Sequence, residues 1–145
     1  MRTRPIDTVI IDTSFILALL KNHEEFYEEI RNVLVGPVRI ATTDGVRMEL
    51  QRLARSGTFE TAGLARVALE ILETRQVEIR ETSPSIPDVD ASIVAAALSD
   101  ENQILVATVD QRLKNILFRL GLRAISPGGR RGLLVLPGSY SVPLK

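Results

Sequence analysis

The sequence predicts a three-layer α/β/α domain, in which a mainly parallel sheet of about five strands is covered by helices on both faces. Short apolar runs alternate with helical patterns along almost the whole chain, and this alternation is typical of parallel sheets. The strand-like runs are continuously apolar, as expected for strands buried on both faces. With 145 residues, of which 45% are apolar, the chain suits one domain with a single core.

Three strands are predicted in the first 80 residues, over residues 8–11, 38–41 and 77–79. Helices are predicted where apolar residues recur at helical spacing between breaker residues. Gly36-Pro37 ends the second helix, Ser56-Gly57 ends the third, and Thr42-Thr43-Asp44 supplies N-cap chemistry for that third helix. These helices are predicted over residues 15–20, 23–35, 44–54 and 59–73.

The rest of the chain continues the alternation. An Ala-rich helix is followed by an apolar strand, and Gly121 is expected to end the next helix as its C′ residue. We expect residues 1–126 to form the domain and residues 127–145 to form a basic, Pro/Gly-rich extension that adds one edge strand. The helices are predicted over residues 88–99 and 111–120, and the strands over 103–107, 123–125 and 133–136.

Composition excludes several classes of site. The chain has no cysteine and one histidine, which excludes disulfides, thiolate zinc sites, cysteine nucleophiles and His-rich metal centres. The absence of tryptophan and the 4% of aromatic residues argue against an aromatic base-stacking platform. The apolar stretch 9–20 is shorter than a membrane span and contains Asp12. We therefore expect a soluble cytoplasmic protein without a membrane partner.

Charge is unevenly distributed along the chain, although its net value is zero. Residues 111–145 contain seven bases and no acid. A basic segment beside an acidic body can contact RNA phosphates, whereas a solvated basic face is the alternative that charge alone leaves open. The residues expected to contact RNA are Arg112, Lys114, Arg130 and Arg131.

Four acidic residues are placed so that they can meet. Asp12 and Asp110 each follow an apolar strand, and Glu49 and Asp90 lie early in helices that begin at the same edge of the sheet. Ligands of open α/β sheets bind at this carboxyl edge. Carboxylates gathered there would repel one another unless a cation neutralised them, and Mg²⁺ or Mn²⁺ prefers such oxygen ligands. The hydroxyl groups expected to support the ligands are those of Thr13, Ser14 and Thr108.

Each acid also has a purely structural interpretation. Asp12 and Asp110 suit helix N-caps, Asp90 suits the first turn of a helix, and Glu49 suits an exposed helical position paired with Arg52 or Arg47. Structural roles are preferred for Asp7, Asp44 and Asp88. His23 is expected at the surface, and Phe15 and Met48 are expected in the core.

The four segments around these acids together resemble the motifs of PIN-domain ribonucleases, in order and spacing, over about residues 8–125. The resemblance implies a parallel sheet flanked by helices and cleavage of single-stranded or structured RNA by an activated water with Mg²⁺ or Mn²⁺. It implies Asp12, Glu49, Asp90 and Asp110 as the metal ligands and catalytic residues. The segments are Ile10-Ile11-Asp12-Thr13-Ser14-Phe15-Ile16, Val46-Arg47-Met48-Glu49-Leu50, Asp90-Ala91-Ser92-Ile93-Val94-Ala95-Ala96-Ala97-Leu98 and Leu105-Val106-Ala107-Thr108-Val109-Asp110-Gln111-Arg112-Leu113.

The expected function is therefore a metal-dependent endoribonuclease in RNA processing, similar to archaeal ribosomal-RNA-processing PIN proteins. Two alternatives stay open: a catalytically silent PIN-like module that binds RNA or protein, and the toxin of a toxin–antitoxin pair. A phosphatase of the haloacid dehalogenase type is disfavoured because Ser14 stands where its second aspartate is needed. Expected partners are an RNA substrate, a second copy contacting residues 23–35 or 133–144, and an antitoxin or pre-ribosomal protein.

Overall fold

A computed structural model of the protein describes residues 7–82, 88–98, 103–128 and 132–136. Within these ranges the chain forms six strands and six helices. Arg130, Arg131 and residues 137–145, which include most of the expected C-terminal extension, lie outside the described residues. The elements are β1 (Asp7–Ile11), α1 (Thr13–Lys21), α2 (Phe26–Val33), β2 (Val38–Thr43), α3 (Asp44–Ser56), α4 (Phe59–Thr74), β3 (Glu78–Arg80), α5 (Val89–Leu98), β4 (Gln103–Ala107), α6 (Gln111–Arg119), β5 (Arg123–Pro127) and β6 (Leu133–Leu136).

The strands form one sheet in the order β3-β2-β1-β4-β5-β6. The first five strands in chain order pair in parallel, and β6 pairs antiparallel with β5. This confirms the predicted α/β architecture with its mainly parallel sheet, and β6 is the edge strand expected at residues 133–136. The chain builds outward from β1 to β2 and β3, and then returns to the other side of β1 to add β4 and β5. The order therefore reverses between β1 and β4.

The core surrounds the central strands, as their continuous apolar sequences predict. Val9, Ile10 and Ile11 of β1 are fully buried, and so are Leu105 and Val106 of β4. Helix α3 packs on α4, α5 packs over β1, β2 and β4, and α6 packs on β5. Among the described helices, none is both long and apolar enough to cross a membrane.

One core assignment made from sequence is wrong. Phe15 is buried as expected, but the side chain of Met48 is 60% exposed. Val46 and Leu50 of α3 are the fully buried residues, and they are four residues apart on one helical face. Met48 lies two residues from each and therefore projects from the opposite face.

Two helix starts also differ from the predictions. Helix α1 begins at Thr13, directly after Asp12, rather than at residue 15. Helix α2 begins at Phe26, and the Glu25 side chain caps it by accepting a hydrogen bond from the Tyr27 N–H. His23 is exposed, as expected, but it lies between the two helices with φ at 63°. It occupies the left-handed position that ends α1, which the apolar pattern of the sequence does not reveal.

Candidate active site

The site lies where the strand order reverses, between the carboxyl ends of β1 and β4. Asp12 follows β1, and its backbone N–H donates to the Ala107 carbonyl at the end of β4. Thr108 and Asp110 follow β4 directly. Because strands that diverge at such a reversal leave a crevice outside their carboxyl ends, residues from both strands face one opening.

Asp12 is held by two hydroxyl groups. Its Oδ2 accepts hydrogen bonds from Ser14 Oγ and Thr108 Oγ1, each at 2.7 Å. Thr108 Oγ1 also accepts from the Asp110 N–H at 3.0 Å, and Ser14 Oγ accepts from the Val109 N–H at 3.3 Å. The two hydroxyl groups thus connect the loop after β1 to the loop after β4 and set the orientation of the Asp12 carboxylate.

Asp12 occupies the N-cap position of α1, yet its side chain makes no capping hydrogen bond. It is only 3% exposed, and burial raises the pKa of its carboxyl group above the usual 3.8. The hydrogen bonds from Thr108, Ser14 and the Thr13 backbone oppose this shift, and the nearby charge of Asp110 adds to it. A buried carboxylate at an N-cap position that makes no capping hydrogen bond is typical of a functional residue rather than a structural one.

Asp90 lies in the first turn of α5 and is partly buried. Burial, followed by the charges of Asp12, Asp110 and Asp88, raises its pKa from 3.8 to about 6, while Arg112 acts in the opposite direction. The mutual repulsion shows that these carboxylates are close enough to influence each other's ionisation.

Asp110 caps α6, since its Oδ1 accepts hydrogen bonds from the backbone N–H groups of Arg112 and Leu113 at 2.9 and 3.4 Å. The structural interpretation of this residue therefore holds. It does not exclude a functional one, because a carboxylate has several acceptor positions and Asp110 also lines the cavity described below.

Glu49 lies one helical turn into α3, with its side chain 30% exposed and 3.7 Å from the Arg52 guanidinium. Such an exposed ion pair adds little stability, so it does not fix Glu49 away from the cavity. The position of α3 is set by its start, where Thr43 Oγ1 lies 3.0 Å from Ser92 Oγ of α5. A Cβ atom on Gly45 would meet Ser92 Oγ at 2.9 Å, so a glycine permits this close approach of α3 to α5.

All four predicted acids line one cavity of about 480 Å³. They come from four different elements or the loops that precede them, and the longest separation along the chain is between Asp12 and Asp110. Thr13 and Ser14 line the same cavity, and Leu17 and Leu53 supply an apolar part of the wall. The remaining lining residues are Asp88 and Val89.

The donor set fits a hard divalent cation. The cavity offers carboxylate and hydroxyl oxygens, which Mg²⁺ and Mn²⁺ prefer. Thr13 also lines the cavity, and its Oγ1 is buried without a hydrogen-bond partner among the described residues. In the described ranges, no three or more Asp, Glu, His or Cys residues already form a metal-binding cluster. The four acids share the cavity, and a bound ion would have to draw their carboxylates closer together.

Among the predicted RNA-binding residues, Arg112 lies exposed in the first turn of α6, close enough to Asp90 to lower its pKa. Lys114 is half-buried, and its Nζ donates to Ser126 Oγ of β5 at 3.0 Å. Arg112 therefore lies at the site, whereas the Lys114 side chain contacts β5.

Asp88 is the acid to which sequence reasoning assigned only a structural role. It does cap α5, because its Oδ1 accepts from the Asp90 N–H at 3.0 Å. It also lines the cavity and raises the pKa of Asp90. The sequence contained one indication that Asp88 lies at the site, because Asp88 is only two residues from Asp90.

Comparisons with known proteins agree with this fold. The model of a family described as PIN-like domain matches residues 9–130. The structure of the PIN domain endonuclease Utp24 is similar, with 25% identity, a TM-score of 0.74, and coverage of 89% of this chain and 90% of that one. VapBC-1 from nontypeable Haemophilus influenzae contains a chain with the same fold, at 18% identity and a TM-score of 0.57, covering 81% and 96%. No curated protein sequence matches the chain.

Proposed function

The chain belongs to the PIN-like domain family, and from this premise we propose that it is a metal-dependent endoribonuclease that hydrolyses phosphodiester bonds of RNA. The observation that carries the proposal is the cavity at the reversal point of the sheet, lined by Asp12, Glu49, Asp90 and Asp110. The similarity to a PIN domain endonuclease over 89% of the chain supports it.

Asp12, Glu49, Asp90 and Asp110 are the residues that would hold Mg²⁺ or Mn²⁺. Such an ion lowers the pKa of a bound water and stabilises negative charge on phosphate oxygens. Ser14 and Thr108 hold the Asp12 carboxylate in one orientation, and Thr13 is a further hydroxyl-bearing residue of the cavity wall. The arrangement suits hydrolysis by an activated water, because that reaction needs no nucleophilic side chain.

Cleavage of RNA by the wild type and by Asp12→Asn tests the proposal. With Mn²⁺ or Mg²⁺, we expect the wild type to cleave and Asp12→Asn to lose at least about 100-fold in rate, since metal-based charge stabilisation contributes several kcal/mol. Asp7→Asn is the matched control, because Asp7 starts the same strand and does not line the acidic cavity. Equal cleavage by wild type and Asp12→Asn would exclude this mechanism.

A catalytically silent module that binds RNA or a protein is the second candidate. Two observations favour it: Asp110 is engaged in capping α6, and the described acids do not form a ready metal cluster. Tight RNA binding without metal-dependent cleavage of any substrate would support this candidate. A role as a toxin stays a third proposal, since the similarity to VapBC-1 extends to the fold alone.

A further inference from the structure

A second cavity, of about 420 Å³, lies between α5 and α6 beside the candidate active site. Asp88 and Asp90 line both cavities, so the two cavities are adjacent. The other residues of the second cavity are Ala91, Val94 and Ala95 of α5 and Arg112 and Ile116 of α6. We call this feature the α5–α6 groove.

The α5 wall of the groove is apolar although it faces outward. The inner face of α5 buries Ile93, Ala96 and Ala97. Ala91, Val94 and Ala95 lie on the opposite face and are partly or fully exposed, and Leu98 follows at helical spacing with 57% exposure. A helix that is apolar on all sides is normally buried on all sides, so the outer face of α5 has the character of a binding surface.

The α6 wall adds one apolar and one cationic side chain. Arg112 and Ile116 are four residues apart and thus share a face of α6. Leu120, four residues further, is 44% exposed. Arg112 shares the lining of the groove with Asp88 and Asp90, which also line the active-site cavity. The groove therefore has apolar walls along α5 and α6 and a charged end, where Arg112 lies with Asp88 and Asp90.

We propose that the α5–α6 groove binds an unpaired nucleotide of the RNA substrate, with the base on the apolar walls and Arg112 in contact with the base plane or its phosphate. This inference rests on the proposed function and adds to it the position of a substrate subsite. The specificity-determining residues would be Val94, Ala95, Arg112 and Ile116.

Three features favour a nucleotide over a protein segment. The groove adjoins the cavity where the phosphodiester would be cleaved, and a strand bound at the acids must leave along a neighbouring surface. Its volume lies in the range of about 300–1,000 Å³ that small-molecule sites show, which accommodates a base and not a duplex. A guanidinium beside apolar walls is suited to an unstacked base, because bases pack on apolar side chains and on Arg planes.

Binding of short, fluorescently labelled RNA to the wild type and to Ala95→Leu tests the proposal, by anisotropy in EDTA so that no cleavage occurs. The added side chain fills the groove, and we expect it to raise the Kd for an intact single strand about tenfold, the scale of one lost base contact. A strand carrying abasic nucleotides should bind the two proteins alike. Val67→Leu, which enlarges an exposed side chain of α4 outside both cavities, is the control and should change neither Kd.

Two further variants keep the test decisive if Ala95→Leu folds poorly. Ile116→Ala removes an apolar wall and should weaken binding of the intact strand but not of the abasic one. Arg112→Gln should weaken binding and lower the slope of log Kd against log salt by about 0.7, the value for one phosphate contact on a single strand. Arg31→Gln, an exposed arginine of α2 outside both cavities, should leave the slope unchanged.

Unchanged affinity for the intact strand in Ala95→Leu and Ile116→Ala would overturn the proposal and leave a protein helix as the candidate occupant of the groove. Equal losses for intact and abasic strands would overturn it too, because the base would then make no contact. Failure of the proposed function has a different signature. It would appear as the absence of metal-dependent cleavage, and the binding assay does not depend on cleavage.

Discussion

At the level of single residues, the carboxylates of Asp12 and Asp90 differ in the hydrogen bonds that they receive. Asp12 is almost completely buried and receives hydrogen bonds from Ser14 and Thr108, which favour its charged form. No side-chain donor to Asp90 lies among the described contacts that set its pKa, and only Arg112 opposes the surrounding negative charge. Burial, and after it repulsion from Asp12, Asp110 and Asp88, therefore disfavours the charged form of Asp90.

Asp90→Asn is expected to stabilise the metal-free protein at neutral pH. The folded state holds the Asp90 proton up to about pH 6, whereas the unfolded chain releases it near 3.8. Stability is therefore lost as pH rises from about 4 to 6, and it stays lost above that range. For this partly exposed group, solvent screening limits the loss to roughly 1–2 kcal/mol. Urea unfolding in EDTA should show this gain for Asp90→Asn at pH 7 and none at pH 4.

Glu70→Gln is the control for that measurement, because Glu70 is exposed on α4 and lines neither the acidic cavity nor the α5–α6 groove. It should change stability equally little at both pH values. A gain for Asp90→Asn that is the same at pH 4 and pH 7 would contradict the repulsion argument, since it would then not depend on ionisation.

Thr108→Val is expected to weaken Mn²⁺ binding by roughly 10–100-fold, the usual effect of losing a side chain that orients a metal ligand. The substitution removes the donor to Asp12 Oδ2 and the acceptor of the Asp110 N–H. Thr108→Ser keeps the hydroxyl and should retain affinity. Isothermal titration with Mn²⁺ measures both variants, and equal affinities would show that this hydroxyl does not orient the ligand.

At the level of elements, most of the acids of the site lie at the N-termini of helices. Asp12 precedes α1, Asp90 lies in the first turn of α5, and Asp110 caps α6. Because these helix N-termini lie at the carboxyl edge of the sheet, their dipoles partly offset the negative charge that collects there. Helix ends therefore matter for the geometry of the site as well as for stability.

The C-terminal ends of α1, α4 and α6 share one hydrogen-bonding motif. In α1, the Glu24 N–H donates to the Leu19 carbonyl and the His23 N–H to the Leu20 carbonyl. The residue in the left-handed conformation is His23 after α1, Gln76 after α4 and Gly121 after α6. This is a Schellman ending, which glycine suits best because it lacks a Cβ atom.

His23→Gly should therefore stabilise the protein by about 0.5–1 kcal/mol, and Gly121→Ala should destabilise it by a similar amount. The exposed His23 side chain has no described contact that the substitution would remove. Thermal unfolding of the two variants measures the opposite shifts. Shifts of the same sign would contradict the assignment of a left-handed residue at one of the two positions.

The order of the strands creates the site at the level of the whole molecule. The reversal between β1 and β4 separates two loops that carry acids, and α3 and α5 bring two more acids to the same crevice. The arrangement places like charges together in a partly buried cavity, which opposes folding unless a cation is bound.

Mn²⁺ should raise the melting temperature through mass action. At a free concentration about 100 times the Kd, binding to the folded state alone adds about 2.7 kcal/mol, or about 5–10 °C for a domain of this size. Differential scanning fluorimetry with and without EDTA measures the shift. Asp12→Asn should reduce it strongly and Asp7→Asn should not. If no Mn²⁺ concentration shifts the wild type, the cavity does not hold the ion.

Replacing Arg130 and Arg131 with Ala should weaken RNA binding and flatten its salt dependence. These bases belong to a C-terminal region that has no acid, and they lie outside the described residues. If each contacts one phosphate of a single strand, the slope of log Kd against log salt should fall by about 1.4. Anisotropy titrations at several salt concentrations measure the slope, and an unchanged slope would assign these residues a structural role.

The amino-acid sequence by itself determined the alternation of strands and helices, because burial on both faces of a parallel strand leaves a continuous apolar run that needs no partner to be recognised. It also identified the four acids, since Asp12 and Asp110 each follow such a run and Glu49 and Asp90 lie in the first two turns of predicted helices. Two of its errors concern local geometry: Met48 was assigned to the core, and the left-handed ending at His23 was missed. Both depend on which face a residue presents or on local backbone conformation, and composition does not encode either.

Only the tertiary structure decided that acids as far apart in the chain as Asp12 and Asp110 line a single cavity. The strand order places β4 beside β1, and no local pattern specifies that pairing. The second role of Asp88 and the apolar outer face of α5 follow from the same packing, because exposure is a property of neighbours. The sequence supplied the chemical groups, and long-range packing decided which of them share a space.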